Sequence, residues 1–389
     1  MYKNLFFLFS LLLSSLVMGE EQYNNNYYTS SNSVEGLLQR DQTVEKYDLS
    51  LSADYHLVAF GASNSIGKDS SLGGVARIFG EWQFINVNTP NKGSLMFKVE
   101  NRHKINDIAP FDFSTEVGYA GLLQSTYTDQ GNRLTVLYYK QNYFDGRLTT
   151  YIGYLDSTEY LDIYLLISPW NAFGNLVFAT GSATIAGMPD GALGAMGAYW
   201  ISDTMYVVGS IVDANGDPTK PWDGFESMFG DFETLKTLEF GWTTSKEKLF
   251  FDNLHITLWQ IDEREEAQIS EGYGVSFSLT HTLSKEFLLF FRGGYSKDGG
   301  AILSKSLSGG FGYMAFGSQD IIGVGVNWGE PNSELFSDVK EQYTSEIFYR
   351  YQAGKHFQIT PSLQLIADPA LNTEENFVTI FGLRVEATF

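Results

Sequence analysis

Segments of about ten residues in which every second side chain is apolar recur from Tyr47 to the last residue, separated by polar or Gly-rich turns. Strict alternation gives a strand with one dry face and one wet face. The predicted strands are Tyr47–Ser63, Leu72–Ile85, Gly93–Lys104, Arg133–Asn142, Arg147–Asp156, Gly191–Ser202, Met205–Ala214 and Thr234–Thr243. They continue with Asn253–Asp262, Gly272–Leu283, Phe287–Ser296, Ser306–Phe316, Ile321–Gly329, Tyr343–Ala353, Phe357–Ala367 and Asn376–Phe389. About sixteen such strands, an even number, suit a closed antiparallel barrel whose dry face meets lipid; fourteen or eighteen remain compatible with the pattern. The connections alternate in length. Ile105–Asn132, Ser157–Asp190, Asn215–Glu233 and Glu330–Gln342 are long, while "NVNTPNK", "YFDG", "SKE" and "GKH" are short. A transmembrane β-barrel sorts long loops to the outside and short turns to the periplasm. A soluble all-β protein, the rival fold, has no reason to do so.

Composition agrees. The chain has 39 Gly, 30 Phe and 23 Tyr against 9 Pro, and a mean hydropathy of -0.13. Alternation keeps the average hydropathy of a membrane barrel low. The absence of cysteine excludes disulfides, thiolate metal sites and a cysteine nucleophile. A formal charge of -21 argues against nucleic acid as a partner. Residues 1–19 read as a secretory signal peptide: a basic start, then the apolar run Leu5 to Val17, then small residues. That run is shorter than the ~20 residues a spanning helix needs. Residues 20–46 read as a flexible polar leader and 47–389 as the barrel.

Alternation also assigns faces. On the last strand Ala387, Val385, Leu383 and Phe381 point to lipid, and Glu386 and Arg384 point inward. A charge at mid-bilayer on the lipid face would cost a few kcal/mol, roughly 2–4, so the charged face must be the wet one. By the same reasoning Lys98, Glu100, Arg102, Glu239, Trp259, Arg292, Glu346 and Arg350 face the lumen. For each charge two readings are open: contact with solute, or bracing of the wall. The terminal Phe389 falls at the inner interface and fits a signal read by the barrel-assembly machinery. The segment 157–190, with Trp170, Phe173, Leu176 and Phe178, is too apolar to lie in water. It is expected to fold into the lumen as a constriction loop; an extra strand pair is the alternative.

Several stretches resemble the OprB-type carbohydrate-selective porins. The strongest is Tyr343–Phe389, with its glutamate-and-arginine strand, an "ITP-LQ-I-DPA" strand and a final "GLR---TF". Others are Lys98–Lys104, Phe144–Asp162, His255–Glu263, Arg292–Gly300 and Asp320–Asn332. The resemblance implies a sixteen-stranded barrel in the outer membrane of a Gram-negative bacterium, with no cofactor. It implies passage of small sugars, glucose-like monosaccharides in particular, through a narrow eyelet of arginines, acids and aromatics. By motif match it carries Glu100, Arg102, Arg147, Trp259, Glu346, Arg350 and Arg384 over as lumen residues. Two departures stand out. The family's N-terminal "GDWGG" segment is absent, and Gln260 replaces the histidine of its tryptophan strand.

Other functions stay in view on the residues alone. A general or ion-selective porin has the same fold. An adhesin could use acidic outer loops such as Asp262–Ala267. A barrel hydrolase would need a nucleophile within reach of a histidine, and of the five histidines none stands in such a spacing; His255 and His281 are isolated in sequence. No metal motif occurs. Homotrimer and monomer are both open.

Overall fold

The computed structural model describes residues 44–46, 48–314, 320–337 and 339–389. The signal peptide expected at 1–19 and nearly all of the leader expected at 20–46 lie outside them.

Sixteen antiparallel strands follow one another around a closed barrel: β2 (Leu49–Ala62), β3 (Ser70–Ile85), β4 (Gly93–Lys104), β5 (Gly131–Tyr143), β6 (Leu148–Leu155), β7 (Ala192–Trp200), β8 (Met205–Asp213) and β9 (Thr234–Thr243) form one half. The other half is β10 (Asn253–Ile261), β11 (Gly272–Thr282), β12 (Phe287–Asp298), β13 (Leu303–Met314), β14 (Ile321–Pro331), β15 (Gln342–Gln352), β16 (Phe357–Ala367) and β17 (Phe377–Thr388). The seam is β17 on β2, from Ile380 opposite Ala62 to Thr388 opposite Asp54. The leader was expected to be flexible to residue 46, but Val44–Lys46 (β1) pairs with the start of β2, Lys46 opposite Leu49. A free edge at the periplasmic end of β2 is available there, and three polar-backbone residues fill it.

Burial follows the alternation. On β15 Ile347, Tyr349 and Tyr351 are exposed to the outside, whereas Glu346, Phe348 and Arg350 are buried inside. On β12 Leu289 and Phe291 are outward and Leu288, Phe290 and Arg292 inward. The inward side chains are buried because loops fill the lumen. Residues 157–190 pack almost wholly inside, with Phe173 against Phe178, Phe290 and Phe348 at ring separations of 4.6, 5.6 and 4.9 Å. Gly325 on β14 faces them; an added Cβ would lie 2.7 Å from the Phe178 ring. Close approach of a loop to the wall needs glycine there.

A second loop enters as well. Phe113, Tyr119, Leu123 and Tyr127, from the long connection after β4, are fully buried and cluster with Trp170 and with Val58, Val75 and Ile380 of the wall. The stretch "FDFSTEVGYAGLLQSTY" carries large apolar side chains as 157–190 does, and it too leaves the water.

Candidate functional site

A cavity of about 860 Å³ opens toward the outer loops, bounded by the two inward loops and by β4 and β5. Lys98, Glu100, Arg102, Arg133, Asp156, Trp170 and Asp190 are among its lining residues. Alternation on β4 turns Lys98, Glu100 and Arg102 to the same side, and a bulge between Lys98 and Val99 shifts the partner strand so that Arg133 lies opposite Glu100.

These side chains form a chain of alternating charge. The Arg102 guanidinium lies 2.7 Å from Glu100 and 2.9 Å from Asp190. Arg133 donates through Nη2 to the other oxygen of Asp190. Its Nε and Nη1 are buried and have no hydrogen-bond partner among the described residues. Burial works against ionisation of Asp190, but Arg102 and Arg133 outweigh it and hold that carboxyl well below the usual range. Next to this group Lys98 bridges Asp156 at 3.1 Å and Glu159 at 2.9 Å. Burial pushes Glu159 up to about 7, with Lys98 pulling the other way.

Trp170 sits between cations: the Arg77 and Arg102 guanidinium carbons lie 4.4 and 5.6 Å from its ring centre. Tyr127 and His56 flank it at 5.3 and 5.1 Å. With only 6% of its surface exposed, it meets the cavity along an edge and holds the arginines in place rather than offering an open face.

Most of the other inward charges hold loop 157–190. Arg384 donates to the carbonyls of Pro169 (2.6 Å) and Ala172. Glu346 accepts from the N–H groups of Gly174 (2.8 Å) and Asn175 (3.0 Å). Arg292, fully buried, donates to Asp162 at 2.5 Å and lies 4.1 Å over the Tyr164 ring. His255 meets the other Asp162 oxygen at 2.6 Å, and Glu239 accepts the Asp162 N–H at 2.8 Å. Trp259 faces inward, buried in a cluster with Leu161 and Ile185, and is itself absent from the cavity lining. Arg350 is buried on the inner face of β15 and is also absent from that lining. Glu386 lies 3.8 Å from His56.

One residue departs from its expected place. Arg147 does not face the lumen: it precedes β6, in the short turn after β5, is exposed, donates to the Trp200 and Ile201 carbonyls and lies over the Tyr199 ring. The strand starts one residue later than the alternation suggested, so Arg147 belongs to the inner rim. Arg133, Asp156, Glu159 and Asp190 were not anticipated as site residues. Alternation with Val136, Tyr138 and Lys140 would turn Arg133 outward, and only the bulge brings it opposite Glu100, so the sequence carries no signal for it; the acids come from the loop or its edges, where there is no periodicity.

Among the described residues Asp54, His56 and Glu386 bring ligand atoms within 4.8 Å of one another. Arg77 already occupies this place, with Nη2 2.5 Å from Asp54 and 2.8 Å from His56, so the charge is met by a guanidinium rather than a metal ion.

The family model described as "Carbohydrate-selective porin, OprB family" matches residues 60–252 and 259–389. The high-pH structure of Pseudomonas putida OprB is similar over 93% of this chain and 100% of that one, with a TM-score of 0.70 at 15% identity. A triple mutant of Rhodopseudomonas blastica porin covers 88% of this chain with 100% of its own, with a TM-score of 0.54 at 11% identity. No curated protein sequence matches the chain significantly.

Proposed function

The chain belongs to the OprB family of carbohydrate-selective porins, outer-membrane channels for passive diffusion and not enzymes, and we propose that it selects small neutral sugars of the glucose type at the Glu100–Arg102–Asp190–Arg133 group. The observation that carries this reading is the balance within that group: two guanidinium and two carboxylate groups in contact along the cavity wall. Balanced charge gives no net attraction for an ion. Sugar hydroxyls both donate and accept, so they can exchange with such a group, and weak multi-site binding lets a solute leave again. In the same reading loop 157–190 is the constriction loop, Trp170 spaces the arginines, and Lys98 fixes the loop's entry.

Single-channel recordings in planar bilayers test this. Glucose should reduce the ion current in a saturable way, and Arg133→Ala should weaken the block by about 10- to 150-fold, the equivalent of ~1.5–3 kcal/mol for a hydrogen bond to a charged group. Conductance with strong ion selectivity and no sugar block would instead mark a general or ion-selective diffusion porin.

A further inference from the structure

The lipid-facing wall of a membrane barrel ends in a ring of aromatic side chains at each interface. Near the outer ends of β11, β12, β15 and β17 that ring is present: Tyr273, Tyr295, Tyr343 and Phe377 are all outward and exposed. On β3–β7 it is missing. The outward positions there include Ala76, Asn101, Asn132, Leu134 and Leu193. Tyr154 also points outward, being paired opposite Leu137 and Leu193, yet only 5% of it is exposed.

What covers it is the connection after β8, residues 214–233. The Leu134 N–H bonds to the Pro218 carbonyl at 2.8 Å, so the loop descends along the outside of the wall. At Gly224 an added Cβ would lie 3.8 Å from the Tyr154 ring and 3.9 Å from Leu193. The loop then winds through helical turns at Gly224–Glu226 and Ser227–Asp231. One side of these turns carries Trp222, Phe225, Phe229 and Phe232, exposed at 74, 50, 72 and 54%. Trp222 stacks on Phe225, which touches Phe229. Asp223, Glu226 and Asp231 are exposed among them. A patch of four large aromatic side chains left in water is a liability. Through Gly224 these turns rest on Tyr154 and Leu193, and Tyr154 stands two residues beyond exposed Ile152 on the same outward face of β6. Between Pro218, Thr219 and Pro221 of the loop and Ile78, Val99 and Leu134 of the wall lies a groove of about 490 Å³, which Glu100, Asn101, Asn132 and Arg133 also line.

We propose that segment 214–233 is an interfacial membrane element: it supplies the aromatic ring that β3–β7 lack and sinks its Trp222–Phe232 side into the outer leaflet. Short segments whose large aromatic side chains enter the acyl boundary while neighbouring charges stay at headgroup level lie in the interface plane in this way. The occupant is lipid because the turns rest on the outward face of β6 and β7, beside exposed Ile152, and have the composition of the ring they complete. This goes beyond solute selection and is independent of which sugar passes.

The cysteine-free chain allows a direct test. Phe229→Cys is labelled with an environment-sensitive fluorophore in the full-length protein, reconstituted in phosphatidylcholine vesicles with brominated acyl chains. Lys68→Cys, in the exposed β2–β3 loop, is the reference. The probe at position 229 should be quenched several-fold more by bromolipid, and several-fold less by aqueous iodide, than the probe at 68. Iodide quenching equal at the two positions would overturn the proposal and place the loop in water. Shielding from both quenchers, with cross-linking between copies through position 229, would overturn it in favour of a second porin as the occupant. Trp222→Cys, at an equally exposed position, serves as the second label should the first impair folding.

Discussion

Replacing Arg292 by methionine should release one end of loop 157–190 while leaving the barrel closed. Arg292 and Asp162 are both essentially excluded from solvent and 2.5 Å apart. Methionine keeps much of the side-chain volume but leaves a buried carboxylate facing only His255 and its backbone partners. Removing one member of a buried, hydrogen-bonded pair costs about 3–5 kcal/mol, or about two to three and a half orders of magnitude in the docking equilibrium. The strand ladders are untouched, as are the pins at Arg384 and Glu346 on the far part of the loop. The defect should therefore be local. Single-channel recordings should show larger, noisier conductance with reduced sugar block, and limited proteolysis should cut within the loop, while the protein stays heat-modifiable in detergent. The double variant with Asp162→Leu carries no orphaned charge and should return toward the parent in both assays. Unchanged conductance and protease resistance in the single variant would refute the pinning argument. So would identical behaviour of single and double variants, because then the orphaned carboxylate is not the cause.

Two further outcomes follow from other parts of the molecule. Glu159, raised to about 7 by docking, favours the docked loop while protonated: this contribution is full below its ordinary range and is lost as pH rises through about 7. Channel noise should thus increase between about pH 4.5 and about pH 7 and level off above that, and Glu159→Gln should flatten the change; a pH response identical in the variant would exclude Glu159 as its source. Phe389 is 67% exposed and only its N–H is held, by the Ala53 carbonyl at 2.9 Å. Deleting it removes at most a few kcal/mol, roughly 1.5–3, of burial, so refolding yield in detergent should hardly change while insertion in cells drops sharply. Equal losses in both measurements would make its role merely structural.

The strands were legible because the membrane enforces period two on one face with a penalty for every error. Gly93–Lys104, Thr234–Thr243 and Phe357–Ala367 have the bounds that alternation alone suggests. The inward direction of Arg292, Glu346 and Arg384 was readable for the same reason. Their partners were not. Asp162 lies 130 residues from Arg292, and loop residues carry no periodicity to say which wall position they will meet. His255, isolated in sequence, turns out to be a partner of Asp162. The bulge at Lys98/Val99 is likewise silent, since both of its neighbours fit a regular strand. Arg147 shows the other limit: a one-residue error at a strand end moves a side chain from the lumen to the rim.

The placement of Arg384 has a consequence for biogenesis. It stands on β17, whose pairing with β2 closes the barrel, and it grips the carbonyls of Pro169 and Ala172. Threading of the inner loop and sealing of the wall are thereby joined in a single step. Until β17 arrives, the loop lacks one of its anchors and the sheet has two raw edges. Once the seam zips, the anchor is delivered from inside the ring, where no later reagent of macromolecular size can reach it. Anchoring of the loop and closure of the wall thus depend on the same strand, and a sheet left open at this seam lacks both.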